Sequence, residues 1–321
     1  MAGAMLGNSG VARQLQASAL GSPLLTDSVE CSDAINSRQP FNPSNFGLTP
    51  TFKLNRFTEL KGKVGKVSST LVEAVLNGIS NENTRPRING EIGNVGMGMD
   101  CTIVPIRLGG LSMLSTTDMF YPVIDDPYIM GRIACSSILS GLYAMGVHEI
   151  DNLLMFLGIS TKLTDMERDK VIPLMIEGFH DAAKQAGVHV SGGQTVLNPW
   201  LMIGGVATSV CHQSEFIIPD NSIAGDVLVL TKPLGTGVAI NCYEWIGTER
   251  WNRIKLIIGE DEARKGYQRA VDSMARPNKS SALLMHKYNA HGATDVTGNY
   301  HRYNCLTINV CGCSREGGLG E

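Results

Sequence analysis

Strand-like apolar runs that alternate with two long helical periods predict a layered α/β or α+β fold. The first helical period covers 126–146, where Ile129, Met130, Ile133, Ala134, Ile138, Leu142 and Met145 recur at intervals of three and four. Asp126 is placed to cap orphan amides, Pro127 suits a first turn whose N–H groups lack partners, and Gly146 suits a left-handed stop. The second period covers Asp165–Ala186. Thr164 and Glu167 form a capping box before it and Gly187 closes it, while Pro173 is expected to disturb its early turns by removing an amide.

The strands are predicted, in order, over 102–107, 111–116, 152–157, 188–190, 203–210 and 227–231, each a short apolar run bounded by glycine or charge. A polar, glycine-containing stretch at 219–226 marks a boundary. Residues 41–222 are therefore expected to form an N-terminal domain, and 223–298 a second one with helices near 261–275 and 280–288. Residues 1–40, rich in Ala, Ser, Gly and Leu with no acid before Asp27, are expected to be a disordered extension. Residues 299–321 show no clear period.

A chain of 321 residues that is 43% hydrophobic has enough apolar material for a core in each of two domains. Its 27 basic and 30 acidic residues leave a net charge of −3, so no overall field draws in nucleic acid or an anionic membrane. The apolar stretch 201–211 is about half the ~20 residues that a spanning helix needs, which excludes a membrane role on this reading. The cysteines at 31, 101, 135, 211, 242, 305, 311 and 313 form no CxxC pair, which points to a reducing, cytoplasmic setting.

The chemistry-bearing residues are acidic and far apart. Asp100 follows Gly98-Met99, Asp118 follows Thr116-Thr117, and Asp295 follows Ala293-Thr294, each where a short apolar run ends. Brought together, such carboxylates suit a hard divalent cation, since magnesium takes oxygen ligands from one or two carboxylates and from phosphate. The glycine pair in Ser191-Gly192-Gly193-Gln194-Thr195 suits a turn whose N–H groups approach a polyphosphate with no Cβ in the way. These parts compose one expected Mg2+ and ATP site. The histidines show no metal-ligand spacing. His291, four residues before Asp295, is placed to line the site.

These residues, with Phe57-Thr58-Glu59-Leu60-Lys61-Gly62, Asp125-Asp126-Pro127-Tyr128 and the run from Gly192 to Trp200, resemble the selenophosphate synthetases (selenide, water dikinases) over 41–298. Within them the chain is most similar to the animal paralogue that lacks the Cys or selenocysteine nucleophile. The resemblance implies an aminoimidazole ribonucleotide synthetase-like N-terminal domain whose strands join a partner's, and a C-terminal α+β domain, here truncated. It further implies a homodimer, or a heterodimer with a paralogue, that converts ATP, selenide and water to selenophosphate, AMP and phosphate. By the same resemblance Lys66 is the catalytic and ATP-binding lysine, stabilising charge on phosphate oxygens. Gly98, Met99, Asp100, Asp118, Gly192, Gly193, Gln194 and Thr195 fall to ATP, and Asp100, Asp118 and Asp295 to magnesium.

The departures from the family pattern bear on activity. Lys63 and Gly65 occupy the segment where a nucleophile is expected, and Gly141 stands where the family has Asp, a further metal carboxylate. Glycine inside a helix costs about 1 kcal/mol relative to Ala, so propensity does not account for it. Selenide turnover is therefore expected to be impaired. The alternative is a non-catalytic, nucleotide-binding paralogue that acts through dimerisation.

Overall fold

In a computed structural model, residues 38–59, 100–107 and 109–296 are described, residue 220 and 309–313 by backbone alone. Strands β1 (Thr102–Pro105), β2 (Leu111–Phe120), β3 (Asn152–Ser160), β4 (Val190–Asn198) and β5 (Met202–His212) build a five-stranded sheet in the order β1-β2-β5-β3-β4. Only the β3–β4 pair is parallel within it. Alternation along each strand decides what each face carries. Leu114, Phe120, Leu153, Leu157, Ile203 and Ala207 are buried on one face. The intervening Met113, Met119, Leu154, Phe156, Val206 and Val210 share the other face through their pairing register.

Strands β2 and β4 differ from the sequence expectation where candidate site residues lie. The run expected to end at Thr116 continues to Phe120, because β5 keeps pairing with it through Asp118↔Gly205 and Phe120↔Ile203. The expected strand 188–190 meets β4 only at Val190, and β4 runs on to Asn198, so the glycine pair lies inside a strand and not in a turn. Tertiary pairing with β3 supplies what local propensity lacks there, with a register irregularity at Leu153/Leu154.

Helix α1 (Pro127–Ala144) lies on the buried face, capped by Asp126 Oδ1, which accepts the Ile129 N–H at 3.1 Å. All 18 of its residues are buried, because the sheet, α2 (Asp165–Ala186) and elements of the second unit surround it. The Thr164–Glu167 capping box and the Gly187 stop are both present. Pro173 leaves the 22-residue α2 uninterrupted: its buried stripe of Val171, Ile172, Met175, Phe179 and Ala182 offsets the lost amide bond. Across the two helices, the Tyr128 hydroxyl donates to Asp181 Oδ2 at 2.9 Å and Arg132 donates to Gln185 Oε1 at 2.7 Å.

The second sheet has the order β6-β8-β7, from β6 (Val227–Leu230), β7 (Gly292–Asp295) and β8 (Asn309–Cys313), with antiparallel pairing of β8 to both neighbours. Its middle strand thus comes from the segment without a sequence period, which supplies partners to two edges that would otherwise stand open. Helices α3 (Thr236–Glu244), α4 (Trp251–Ile254), α5 (Glu260–Ala275) and α6 (Lys279–Lys287) complete this unit. It docks on α1 through specific bonds. Ser136 Oγ donates to the Ala275 carbonyl at 2.8 Å, and Asn278 Nδ2 to Ser140 Oγ at 3.2 Å. Among the described residues no helix is long and apolar enough to cross a membrane.

Candidate functional site

Docking of the second unit brings Asp100, at the entry to β1, against the end of β7. Asp100 Oδ2 accepts the Asp295 N–H at 2.8 Å and the Thr294 hydroxyl at 2.9 Å. Residues 194 and 195 positions apart in sequence are thereby placed in contact, Thr294 through its hydroxyl and Asp295 through its backbone amide. Asp118 sits on β2 on the α1-facing side, two residues along from the buried Thr116, and its Oδ1 accepts the N–H of Met119 at 3.0 Å. By the strand rise that offset is about 7 Å.

Helix α1 presses on this same corner. A Cβ added to Gly141 would lie 2.4 Å from Thr116 Oγ1 and 3.0 Å from the Asp100 carbonyl oxygen. The glycine that propensity left unexplained therefore has a packing cause, namely the close approach of α1 to the ends of β1 and β2. Gly141→Ala is accordingly expected to destabilise the protein by about 1–2 kcal/mol in chemical denaturation, as overpacking outweighs the gain of about 1 kcal/mol in helix propensity. Cys101, buried beside Thr116, has its thiol pushed up by burial and further by the charges of Asp100 and Asp295. A raised thiol favours the protonated form, which is the weaker metal ligand.

The donor set is thus all oxygen. Among the described residues no three His, Cys, Asp or Glu side chains gather into a metal cage. Two acidic residues meeting at one corner nevertheless fit magnesium, which is ordinarily held by one or two carboxylates and completes its shell with water and phosphate.

Gly192, Gly193, Gln194 and Thr195 lie elsewhere. They are exposed on the edge strand β4, and the row Asp118↔Gly205↔Met155↔Gly193 crosses three strand spacings. That is about 14 Å between the glycine segment and Asp118 within one chain. Gly193 has φ of 146°, and a Cβ there would lie 1.8 Å from the Met155 carbonyl oxygen, so only glycine fits. Lys66, Gly98 and Met99, with Lys63 and Gly65, lie outside the described residues. His291 is engaged by another acid: its Nδ1 pairs with Asp226 Oδ1 at 2.9 Å. Sequence reasoning passed over Thr116 and Thr294, although each lies within two residues of a candidate Asp.

The family model for AIR synthase related protein, N-terminal domain, matches residues 98–211, from the Asp100 loop to the end of β5. Human selenide, water dikinase 2 is 46% identical over 289 residues, covering 83% of this chain and 64% of that one. The probable selenide, water dikinase of Caenorhabditis elegans is 46% identical over 258 residues, covering 80% and 67%. The chain belongs to the selenide, water dikinase family. Its AIR synthase-like fold is shared with a solved structure of AaThiL complexed with AMPPCP and TMP, at a TM-score of 0.53 and 14% identity over 77% of this chain and 84% of that one. This family member spans under two thirds of its human, zebrafish and mouse relatives, at 64%, 62% and 64% of their lengths.

Proposed function

We propose that this chain is an ATP-dependent phosphotransferase of the selenide, water dikinase type with impaired selenide turnover. The observation that carries the reading is the contact of Asp100 with Asp295 across two sheets, in a chain of that family. Asp100, Asp118 and Asp295 would hold magnesium, and Lys66, Gly98 and Met99 would meet ATP beside them. When bound, the cation would neutralise charge on phosphate oxygens. Around it, Asp100 is oriented by Thr294 and by the Asp295 amide, while buried Thr116 closes the floor. The nucleotide of the AaThiL complex supports ATP as ligand. We assign the work to 41–222 as nucleotide-binding and dimerising domain and 223–298 as the domain contributing Asp295, in a cytoplasmic protein.

The distance of Gly192–Thr195 from the acidic corner favours a dimer in which this segment serves a second copy's nucleotide. The sheet face away from α1 supports the same assembly, because it presents Met119, Val210 and Val196 at 39%, 42% and 46% exposure. Val206→Glu, at the middle of that face, is expected to convert the dimer to monomer in sedimentation velocity, since a carboxylate would be buried at the junction without a partner.

Gly141 favours a second reading, a regulatory paralogue that binds nucleotide and turns over no selenide, because it offers no carboxylate and no room for one. AMP release from Mg-ATP, with and without selenide, separates the two. Selenide-dependent AMP at least tenfold slower than from a Cys-containing relative supports the impaired enzyme, and none at all supports the regulator. A rate equal to the relative's overturns both.

A further inference from the structure

The contact between Asp100 and β7 joins the two sheets at the corner where the cation is expected. One carboxylate oxygen, Asp100 Oδ2, receives both bonds: the Thr294 hydroxyl at 2.9 Å and the Asp295 amide at 2.8 Å. Thr294 is exposed and Asp295 half-buried, so no apolar packing of those side chains fixes the geometry. Ala293 and the pairing with β8 anchor the strand, and charge-assisted hydrogen bonds, the stronger and more directional kind, tie its end to Asp100. A carboxylate carries about four lone-pair sites, more than these two bonds occupy. The contact also sets two acidic residues against each other, because the Asp100 carboxylate bonds the amide of Asp295 itself. Like charges disfavour docking of β7 until a cation offsets them.

We propose that Thr294 is a positioning residue that fixes the Asp100 carboxylate toward the cation, and that binding of magnesium with ATP and docking of β7 on the first sheet reinforce each other. The inference rests on the proposed Mg-ATP site. Its thermodynamic form is reciprocal: a ligand that binds the docked arrangement better shifts the population toward it, and whatever favours docking tightens the ligand. Thr294 acts through Asp100 and touches no ligand itself. Its hydroxyl, not its size, is what matters.

The test combines amide hydrogen exchange over 292–296 with titration of magnesium at fixed ATP, on the full chain and on Thr294→Val and Thr294→Ser. In the unaltered protein, magnesium with ATP is expected to slow exchange of these amides about tenfold. Thr294→Val, of the same shape without the hydroxyl, is expected to need about fivefold to tenfold more magnesium for half-saturation and to lose most of the protection, and Thr294→Ser to restore both. ATP binding without any change in exchange at 292–296 overturns the coupling while leaving the nucleotide site standing. Equal magnesium requirement in all three proteins overturns the positioning role, as does a Thr294→Ser variant that behaves like Thr294→Val. Absence of any Mg-ATP binding in the unaltered protein overturns the nucleotide site and this inference with it.

Discussion

Gly178→Ala is expected to destabilise the protein by about 3 kcal/mol or more in urea unfolding, a large share of the 5–15 kcal/mol that holds a typical native state. The cause is the α1–α2 crossing, where a Cβ on Gly178 would lie 1.8 Å from the Tyr128 carbonyl oxygen and 2.7 Å from its carbonyl carbon. These are backbone atoms of the facing helix and have no rotamer to escape into. Gly131 makes the reciprocal approach, with a Cβ position 2.0 Å from the Met175 carbonyl oxygen. To admit even one methyl the helices must separate, which loosens Met175 and Phe179, both fully buried. Ala is the better helix former by about 1 kcal/mol, so the intrinsic effect has the opposite sign and the packing term must overcome it. Gly266→Ala on α5 is the control: its Cβ would meet Ala239 at an ordinary 3.9 Å. That variant is expected to gain up to about 1 kcal/mol. A Gly178→Ala protein as stable as its parent would mean the two helices do not cross this closely.

What the sequence disclosed, and what it withheld, follows from the range of the forces involved. Helix α2 was readable to the residue because its start and stop are set by neighbours in sequence: Thr164 with Glu167, and Gly187 in the left-handed conformation. The reading of α1 was equally local, through the Asp126 cap. By contrast, the glycine segment of β4 reads as a turn because its strand state comes from β3, 38 residues upstream in the register Gly193↔Met155, and nothing at 192–195 announces it. Strand β8 escaped for the same reason, being held wholly by β6 and β7. At the candidate site, Asp100 and Asp295 are legible as acids beside strand ends, whereas Asp118 lies within β2, which pairs on to Phe120. Their mutual placement is not legible, and only Asp100 and Asp295 are brought into direct contact. Gly141 is the sharpest case. As a lost ligand it was visible in the sequence, whereas as the residue that lets α1 touch Thr116 and the Asp100 carbonyl it was not.

Asp118→Asn is expected to abolish most of the magnesium-dependent stabilisation by ATP while leaving the ligand-free protein within about 0.5 kcal/mol of its parent. Asn keeps the shape and keeps an oxygen that accepts the Met119 N–H, the bond Asp118 Oδ1 makes at 3.0 Å. What it removes is one negative charge on the α1-facing side of β2, the side that carries Thr116 and faces Gly141. With magnesium and ATP at 100 times the dissociation constant the unaltered protein should gain about 2.7 kcal/mol. If the substitution weakens the complex a hundredfold, the gain at the same concentrations falls to about 0.4 kcal/mol. Asp100→Asn is the less informative variant, because it would also weaken the bonds from Thr294 and Asp295 and confound ligand binding with docking of the second sheet. Thermal unfolding with magnesium, and with a chelator in its place, reads the difference directly. Under chelation ATP should stabilise both proteins weakly, the variant at least as much as its parent, since Asn removes a charge that repels the triphosphate. Equal stabilisation of parent and variant in magnesium would remove Asp118 from the site and leave Asp100 and Asp295 as the carboxylate pair.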